Sequence, residues 1–124
     1  MWEPSASVTR VVDDRLQDLL VRLRRFTGER EWSRFHDPKN LAMLVASEAG
    51  ELLQLFRWVR NDDADAFARS PESRREIEAE LADVAIGVLL LADRIGADLP
   101  AIVRSKIDRN AEKYPVGKNS RLAP

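Results

Sequence analysis

The chain has 124 residues, with 20 basic and 21 acidic side chains and no cysteine. This length predicts one domain with its own hydrophobic core. The near-neutral charge excludes a protein held to nucleic acid by bulk charge, and the 44% hydrophobic content excludes a disordered chain. The lack of cysteine excludes disulfides and thiolate metal sites. No secretion leader or membrane-spanning stretch is recognised, so we expect a cytoplasmic protein with neither membrane nor nucleic-acid polymer as its partner.

Four segments have helical hydrophobic spacing and none has the alternation of a strand, so the predicted fold class is all-α, a bundle of four helices joined by short loops. We expect residues 1–8 to form a flexible lead, residues 9–115 the folded domain, and residues 116–124 a flexible tail. The predicted helices run from Thr9 to Glu29, from Pro38 to about Arg60, from Pro71 to Ile95, and from Asp98-Leu-Pro100 to Tyr114-Pro115, with a short extra turn at residues 64–69.

Local signals support these helix ends. Asp37 and Ser70 can each cap a helix start, and each is followed by a proline that fits the first helical position. Gly96 is well placed to end the third helix. The apolar faces of helices 2 and 3 are wide for a small monomer, and Ala49, Gly50 and Gly87 would let helices approach closely. We therefore expect the chain to self-associate.

Two acid pairs lie on the core-facing sides of predicted helices. Glu48 falls at the centre of the apolar stripe of helix 2, and Glu51 follows it by one turn. Glu80 and Asp83 repeat the arrangement on helix 3. Because side chains three residues apart project from the same side of a helix, each pair can act as a set of two carboxylate ligands. Four carboxylates suit Mg²⁺ or Mn²⁺, which prefer oxygen ligands and often share them with phosphates.

A solvated helix face and a di-iron site are two alternative explanations of the acid pairs. With 21 acidic residues in the chain, this spacing arises easily on a solvated helix face. The position of Glu48 among apolar residues argues against that explanation, because a buried carboxylate is costly without a positive partner. A di-iron site would need Glu-x-x-His pairs, and the single histidine, His36, stands in a loop, so that alternative is weak.

Aromatic side chains flank the first acid pair in the sequence. Trp32 and Phe35 stand in the loop before helix 2 with His36 beside them, and Trp58 follows Glu51 by two helical turns. Flat rings near a metal–phosphate site could stack on a nucleotide base. Without further information, such tryptophans are more often core or interface residues, and a lone histidine is more often a hydrogen-bonding residue than a catalyst.

The last predicted helix carries Lys106, Asn110 and Lys113 at helical spacing. These side chains could donate hydrogen bonds to phosphate oxygens. A solvated basic face near a helix C-terminus explains the spacing at least as well. Spacing alone leaves both interpretations open.

Three motifs in a fixed order resemble a known family. They are the run Arg30-Glu-Trp-Ser-Arg-Phe-His-Asp-Pro-Lys-Asn-Leu, the run Ser47-Glu-Ala-Gly-Glu-Leu and the run Glu80-Leu-Ala-Asp-Val. Their combination resembles the MazG-like nucleoside triphosphate pyrophosphohydrolases, and more closely the dCTP pyrophosphatase branch. The likeness extends from about Phe26 to Pro115, which is nearly the whole predicted domain.

The resemblance implies an all-α homodimer or homotetramer that uses Mg²⁺ to cleave a (deoxy)nucleoside triphosphate to the monophosphate and pyrophosphate. The first substrate it suggests is dCTP or a related or modified pyrimidine nucleotide. The metal ligands that it implies are Glu48, Glu51, Glu80 and Asp83, and either of the first two would activate water. The implied substrate contacts are the base-binding loop from Trp32 to His36, including Phe35, then Trp58, and for the phosphates Lys106, Asn110 and Lys113.

Two positions depart from the animal dCTP enzymes. Leu23 stands where that branch has a histidine, and Gly87 stands where it has a tyrosine. The histidine and the tyrosine are polar substrate contacts in that branch, so their replacement affects which base is preferred. Gly87 would leave room beside the base. Two rival hypotheses are a housecleaning enzyme for non-standard nucleotides and a non-catalytic helical interaction module whose acids hold a structural ion.

Overall fold

The computed structural model describes the backbone of residues 6–117 and the side-chain environments of residues 15–117. Within that part of the chain there are five α-helices, two short 3-10 helices and no strand, which confirms the predicted all-α class. The helices are α1 (Ala6–Glu29), α2 (Pro38–Phe56), α3 (Ala64–Arg69), α4 (Pro71–Arg94) and α5 (Leu99–Lys113). The four predicted long helices are all present, and α3 is the predicted extra turn.

Two predicted helix ends were wrong. Helix α1 begins at Ala6, three residues before the predicted start at about Thr9. Helix α2 ends at Phe56, four residues before Arg60. The Phe56 ring makes an edge-to-face contact with Phe67 of α3, with centroids 5.4 Å apart, and the chain must leave the helix axis to bring α3 back to it. Predictions for residues 1–5 and 118–124 lie outside the described residues.

An aspartate side chain caps the helix at two of the three predicted helix starts. The Asp37 carboxylate accepts a hydrogen bond from the Asn40 amide at 2.9 Å, and Asp98 accepts one from the Ala101 amide at 3.2 Å. Ser70 occupies the position before α4 but makes no side-chain capping bond, so its proposed cap was wrong. The proline that follows it supplies the start instead, because its fixed backbone angle suits the first helical position.

Gly96 ends α4 as predicted. Its φ of 71° lies in the left-handed region, which a glycine adopts without strain. The Gly96 amide donates to the Asp93 carbonyl at 3.1 Å and the Ala97 amide donates to the Ala92 carbonyl at 2.9 Å. These two bonds form a Schellman motif, which satisfies carbonyl groups at the helix end and turns the chain toward α5.

The main packing contact of the chain is between α2 and α4, which run antiparallel. Val45 meets Gly87, whereas Glu48, three residues later on α2, lies beside the earlier α4 residues Glu80 and Asp83. Leu41, at the start of α2, is only 1% exposed. Helix α1 packs on α4, and so does α3, whereas α5 contains no buried residue. The α2–α4 pair therefore positions the acidic residues.

None of the described helices is both long enough and apolar enough to span a lipid bilayer.

Candidate metal centre

Three acidic side chains converge between α2 and α4. One carboxylate oxygen each from Glu48, Glu80 and Asp83 lies within 4.8 Å of the other two. Glu51 lies close enough to interact electrostatically with Glu48 and Glu80. The two acid pairs, which are about thirty residues apart in the sequence, therefore form one group, and we call these four residues the acid cluster.

Two oxygens of the acid cluster are buried without a partner. Glu48 Oε2 and Glu80 Oε2 are inaccessible to solvent and accept no hydrogen bond from any residue that the structure describes. The four ion pairs found among the described residues all involve other acids. Since burying an unpaired carboxylate oxygen costs free energy, native proteins normally give such an atom a donor or a cation.

Burial and crowding raise the pKa of two of the four acids. Burial, followed by the neighbouring carboxylates of Glu51, Asp83 and Glu80, raises the pKa of Glu48 to about 7. Burial also raises the pKa of Glu80, and Glu51 is the next cause. Among residues 15–117, the side chains that shift these two pKa values are all acids. Crowding of like charges without a cation leaves the cluster prepared to bind a positive ion.

The donor atoms of the acid cluster fit a hard divalent cation. Every available ligand is a carboxylate oxygen, and neither a histidine nor a thiolate is present in the group. Oxygen-only ligand sets suit Mg²⁺, Mn²⁺ and Ca²⁺ and are a poor match for softer metals. The two buried oxygens without donors are the atoms that such an ion would satisfy.

The predicted base-binding loop is held rigidly at the junction of α1, α2 and α4. The Trp32 amide donates to the Thr27 carbonyl at 2.9 Å, and the Asn40 side chain donates to the Phe35 carbonyl at 2.9 Å. A guanidinium nitrogen of Arg94 lies 3.3 Å from the Ser33 carbonyl. These bonds anchor a 3-10 helix at Ser33–Phe35.

The two aromatic rings of this loop remain accessible. Trp32 packs edge-to-face on Phe26 of α1, with centroids 5.5 Å apart, yet 43% of its surface is exposed. Phe35 is 55% exposed. Both rings could therefore contact a ligand. His36 instead lines a cavity of about 200 Å³ beneath the loop, together with Leu41 and Asp93.

Trp58 lies just beyond the end of α2. The sequence predicted that this helix continues to about Arg60, whereas it ends at Phe56 and Trp58 stands in the following turn. The indole is the most exposed large aromatic side chain of the described residues, at 85%, and the Arg57 guanidinium lies 5.4 Å from its centroid. Its role as a second base contact stays a prediction.

The predicted phosphate donors lie on α5, whereas the acid cluster is formed by α2 and α4. Lys106 and Lys113 are exposed and Asn110 is half-buried. None of them is among the groups that shift the pKa of Glu48 or Glu80. The structure thus brings together the acids and leaves these three residues on a separate helix.

Gly87 does not open space beside a base, contrary to the expectation from the sequence. The residue is buried, and a Cβ atom placed on it would lie 3.0 Å from Val45 Cγ2. Gly87 therefore serves the close approach of α4 to α2. Leu23, the other departure, lines an open apolar groove of about 720 Å³ between α1 and α4 with Phe26 and Ile86.

The sequence did not identify two contacts that hold this region together. Arg24 of α1 pairs with Asp93 of α4 through two hydrogen bonds, one of them 3.0 Å from Nε to Oδ2. Arg94 bonds to the loop carbonyl of Ser33. Both contacts join residues more than sixty positions apart, and no local pattern marks either pairing. The contact of Asn40 with Phe35 joins residues close in the sequence. Its only indication in the sequence is an asparagine three residues after the capping Asp37.

Known proteins of similar sequence and structure were compared with the chain. A model of the MazG-like family matches residues 44–123. The chain is 40% identical to dCTP pyrophosphatase 1 of Rattus norvegicus over 101 residues, which are 82% of this chain and 59% of the relative. It is 39% identical to dCTP pyrophosphatase 1 of Homo sapiens over 100 residues, which are 81% of this chain and 59% of the relative. The chain thus spans somewhat more than half the length of these relatives.

A solved structure gives the same result for the fold. The chain superimposes on the crystal structure of a pyrophosphatase from Archaeoglobus fulgidus with a TM-score of 0.77 and 36% sequence identity. The match covers 82% of this chain and 93% of the other. Family model, sequence identity and fold agree with the three motifs and the all-α bundle. The chain therefore belongs to the MazG-like family, and within it to the branch that resembles dCTP pyrophosphatase.

Proposed function

We propose that the chain is a Mg²⁺-dependent nucleoside triphosphate pyrophosphohydrolase, which cleaves a (deoxy)nucleoside triphosphate to the monophosphate and pyrophosphate. The observation that supports this best is the acid cluster, in which two buried carboxylate oxygens lack any donor. A divalent cation would satisfy these oxygens and would also bind the triphosphate. The similarity to dCTP pyrophosphatase 1 supports a nucleotide substrate, with dCTP or a related or modified pyrimidine nucleotide as the first candidate.

Mg²⁺ bound there would neutralise charge on the phosphate oxygens and lower the pKa of an attacking water. Glu80 and Asp83 of α4, with Glu48 and Glu51 of α2, would hold the ion through oxygens that the helices keep fixed. Mn²⁺ could replace it because it accepts the same ligands. The fixed helices would limit the reorganisation needed during the reaction.

Glu48 or Glu51 would also orient the attacking water and take its proton. Glu48 is one candidate, because burial and its acid neighbours raise its pKa to about 7 in the metal-free protein. A base with a pKa near the working pH is suited to this task. Binding of the cation would lower that pKa, so Glu51, at the exposed edge of the cluster, is the alternative base.

The exposed rings of Trp32 and Phe35 would stack on the base, with His36 and Trp58 as further contacts. Aromatic stacking is tolerant of base identity. A hydrogen bond from position 23 of α1 to the base would need a polar side chain, and Leu23 has no donor or acceptor in its side chain. This supports a tolerant base site, which is what a housecleaning enzyme for non-standard nucleotides would require.

Self-association as a homodimer or homotetramer belongs to the same proposal. Met43 and Leu53 of α2 are 60% and 69% exposed. Ile107 on α5 is 60% exposed. Burying these side chains against a second copy would remove apolar surface from water. Sedimentation equilibrium of the wild-type chain and of Met43→Glu/Leu53→Glu tests it, since only the variant should be shifted toward monomer.

The reaction is tested by turnover in H₂¹⁸O. The purified chain is mixed with Mg²⁺ and, in turn, dCTP, 5-methyl-dCTP, dUTP, 8-oxo-dGTP and the other dNTPs. Attack at the α-phosphorus places ¹⁸O in the nucleoside monophosphate and releases pyrophosphate without label. Release of orthophosphate, or label in pyrophosphate, would refute the proposed reaction.

A matched pair of variants tests the site. Asp83→Asn should abolish turnover while the chain keeps its helical circular dichroism spectrum. Glu78→Gln, also on α4 but in a surface ion pair with Arg74, should keep wild-type turnover. No turnover by the wild type with any nucleotide, combined with a melting temperature that rises on adding Mg²⁺, would support the structural-ion module instead.

A further inference from the structure

We propose that Gly87 is a positioning residue that sets the spacing between α2 and α4 at the acid cluster and thereby the affinity and selectivity for the divalent cation. The inference rests on the proposed metal site and assigns a role to residues outside the cluster itself. It starts from the one glycine of this chain whose missing side chain leaves room for a neighbouring helix.

The contact at Gly87 is close and involves the backbone of α2. A Cβ atom at this position would lie 3.0 Å from Val45 Cγ2 and 3.7 Å from both the amide nitrogen and the Cα of Val45. The other four glycines have no such neighbour within 4 Å in the described part of the chain. The two helix backbones thus approach at Gly87 to a distance that an alanine would prevent unless Val45 moved by a few tenths of an ångström.

The contact lies one helical turn from the acids on both helices. Gly87 follows Asp83 by four residues on α4, and Val45 precedes Glu48 by three residues on α2. One turn of an α-helix is about 5.4 Å long and is stiff, because each residue in it is hydrogen-bonded to the next turn. A change in helix separation at Gly87 is therefore transmitted to the carboxylates with little loss.

A small change in separation matters to the cation because its bonds are short. Mg²⁺ requires near-octahedral geometry with oxygens at about 2.0–2.1 Å, whereas Ca²⁺ accepts about 2.3–2.6 Å and a flexible arrangement. The three cluster oxygens lie within 4.8 Å of one another. Coordination of Mg²⁺ by all three would require shorter distances between them. Widening the helix pair by a few tenths of an ångström therefore penalises Mg²⁺ more than Ca²⁺.

The test measures cation affinity by isothermal titration of the full metal-free chain with Mg²⁺ and separately with Ca²⁺. Gly87→Ala should weaken Mg²⁺ binding by about tenfold, the lower end of the effect of residues that orient metal ligands. Ca²⁺ binding should weaken by less than about threefold, because the larger ion tolerates the wider site. Thermal melts of the same samples verify that each variant is folded.

Two further variants separate positioning from loss of fold. Gly50→Ala places a methyl group on α2 where nothing lies within 4 Å, and it should keep the wild-type Mg²⁺ affinity. Val45→Ala combined with Gly87→Ala removes Cγ2, the only atom closer than 3.4 Å to the new Cβ, and should restore Mg²⁺ affinity. The cation selectivity and this rescue are properties that a general loss of stability would not produce.

Several results would overturn the inference. Mg²⁺ affinity of Gly87→Ala within about twofold of wild type would show that the contact does not set the site. A double variant that binds as weakly as Gly87→Ala, or that does not fold, would show that the Val45 contact is not the cause. If the wild-type chain itself binds no Mg²⁺, the proposed metal site fails, which is a separate result from either of these.

Discussion

Raising the pH from 6 to 8 should strengthen Mg²⁺ binding to the acid cluster by about tenfold through Glu48 alone. Its pKa in the metal-free chain is raised to about 7, chiefly by burial and then by Glu51. A group with this pKa is about one-tenth ionised at pH 6 and about nine-tenths ionised at pH 8. Because the cation binds only the carboxylate form, the apparent affinity follows this fraction.

The stability of the metal-free chain should change in the opposite direction. The folded-state pKa of Glu48 lies above its ordinary value of 4.5, so folding disfavours the charged form. Its contribution is therefore most favourable below pH 4.5 and is lost as the pH rises toward and through 7. In EDTA, Glu48→Gln should melt at a higher temperature than wild type at pH 8, and this gap should shrink at pH 5. With saturating Mg²⁺ the order should reverse, because the variant lacks a ligand.

The two measurements are calorimetric titrations with Mg²⁺ at pH 6, 7 and 8, and thermal melts over the same range with EDTA or Mg²⁺. Asp62→Asn, which changes an acid outside the cluster, is the control and should follow wild type in both. Mg²⁺ affinity that varies by less than about twofold across this range would refute the reasoning. So would a metal-free Glu48→Gln variant that melts below wild type at pH 8.

Three other substitutions and one control test the fold that carries the cluster. Leu41→Ala should lower the free energy of unfolding by about 2–5 kcal/mol in urea titrations, because Leu41 is 1% exposed. Its control, Val116→Ala, changes a fully exposed side chain after α5 and should alter this free energy far less. Asp37→Ala should cost about 1 kcal/mol in the same assay, because it removes the side-chain cap of α2. Arg24→Met should lower the melting temperature at neutral pH. This loss should fade on acidification, because Arg24 lowers the pKa of Asp93 and the benefit disappears as pH falls through that lowered value. An equal loss at all pH values would contradict the ion-pair explanation.

Self-association bears on the residues of α5. Lys106 and Lys113 are exposed and lie outside the acid cluster of their own chain. If they serve the phosphates, a second copy is one way to bring them there. Activity in a mixture of Lys113→Ala and Asp83→Asn chains would test this, since only a mixed assembly could combine an intact acid cluster with an intact α5.

Helix positions could be predicted well where the signal is local. Asp37 and Asp98 cap α2 and α5 because a carboxylate next to a free helix amide bonds to it whatever the rest of the fold does. Gly96 ends α4 because its left-handed backbone suits glycine. The end of α2 could not be placed from local pattern, because it depends on the Phe56–Phe67 contact between two helices.

The candidate site, too, was predictable only where its signal lies within one helix. Periodicity alone placed Glu48 with Glu51 and Glu80 with Asp83, each pair on one side of its helix, since residues three apart share a face. Whether the two pairs meet depends on the separation and register of α2 and α4. That separation is set by contacts such as Gly87 with Val45, between residues distant in sequence.

The sequence by itself determined the all-α class, most helix ends and the family, because hydrophobic spacing, caps and ordered motifs are written within a few turns of chain. Tertiary structure alone decided that Glu48, Glu80 and Asp83 converge between α2 and α4, that two of their oxygens lack donors among the described residues, and that Gly87 faces Val45. Distances between helices follow from how side chains far apart in the sequence pack against one another, and no local pattern encodes them.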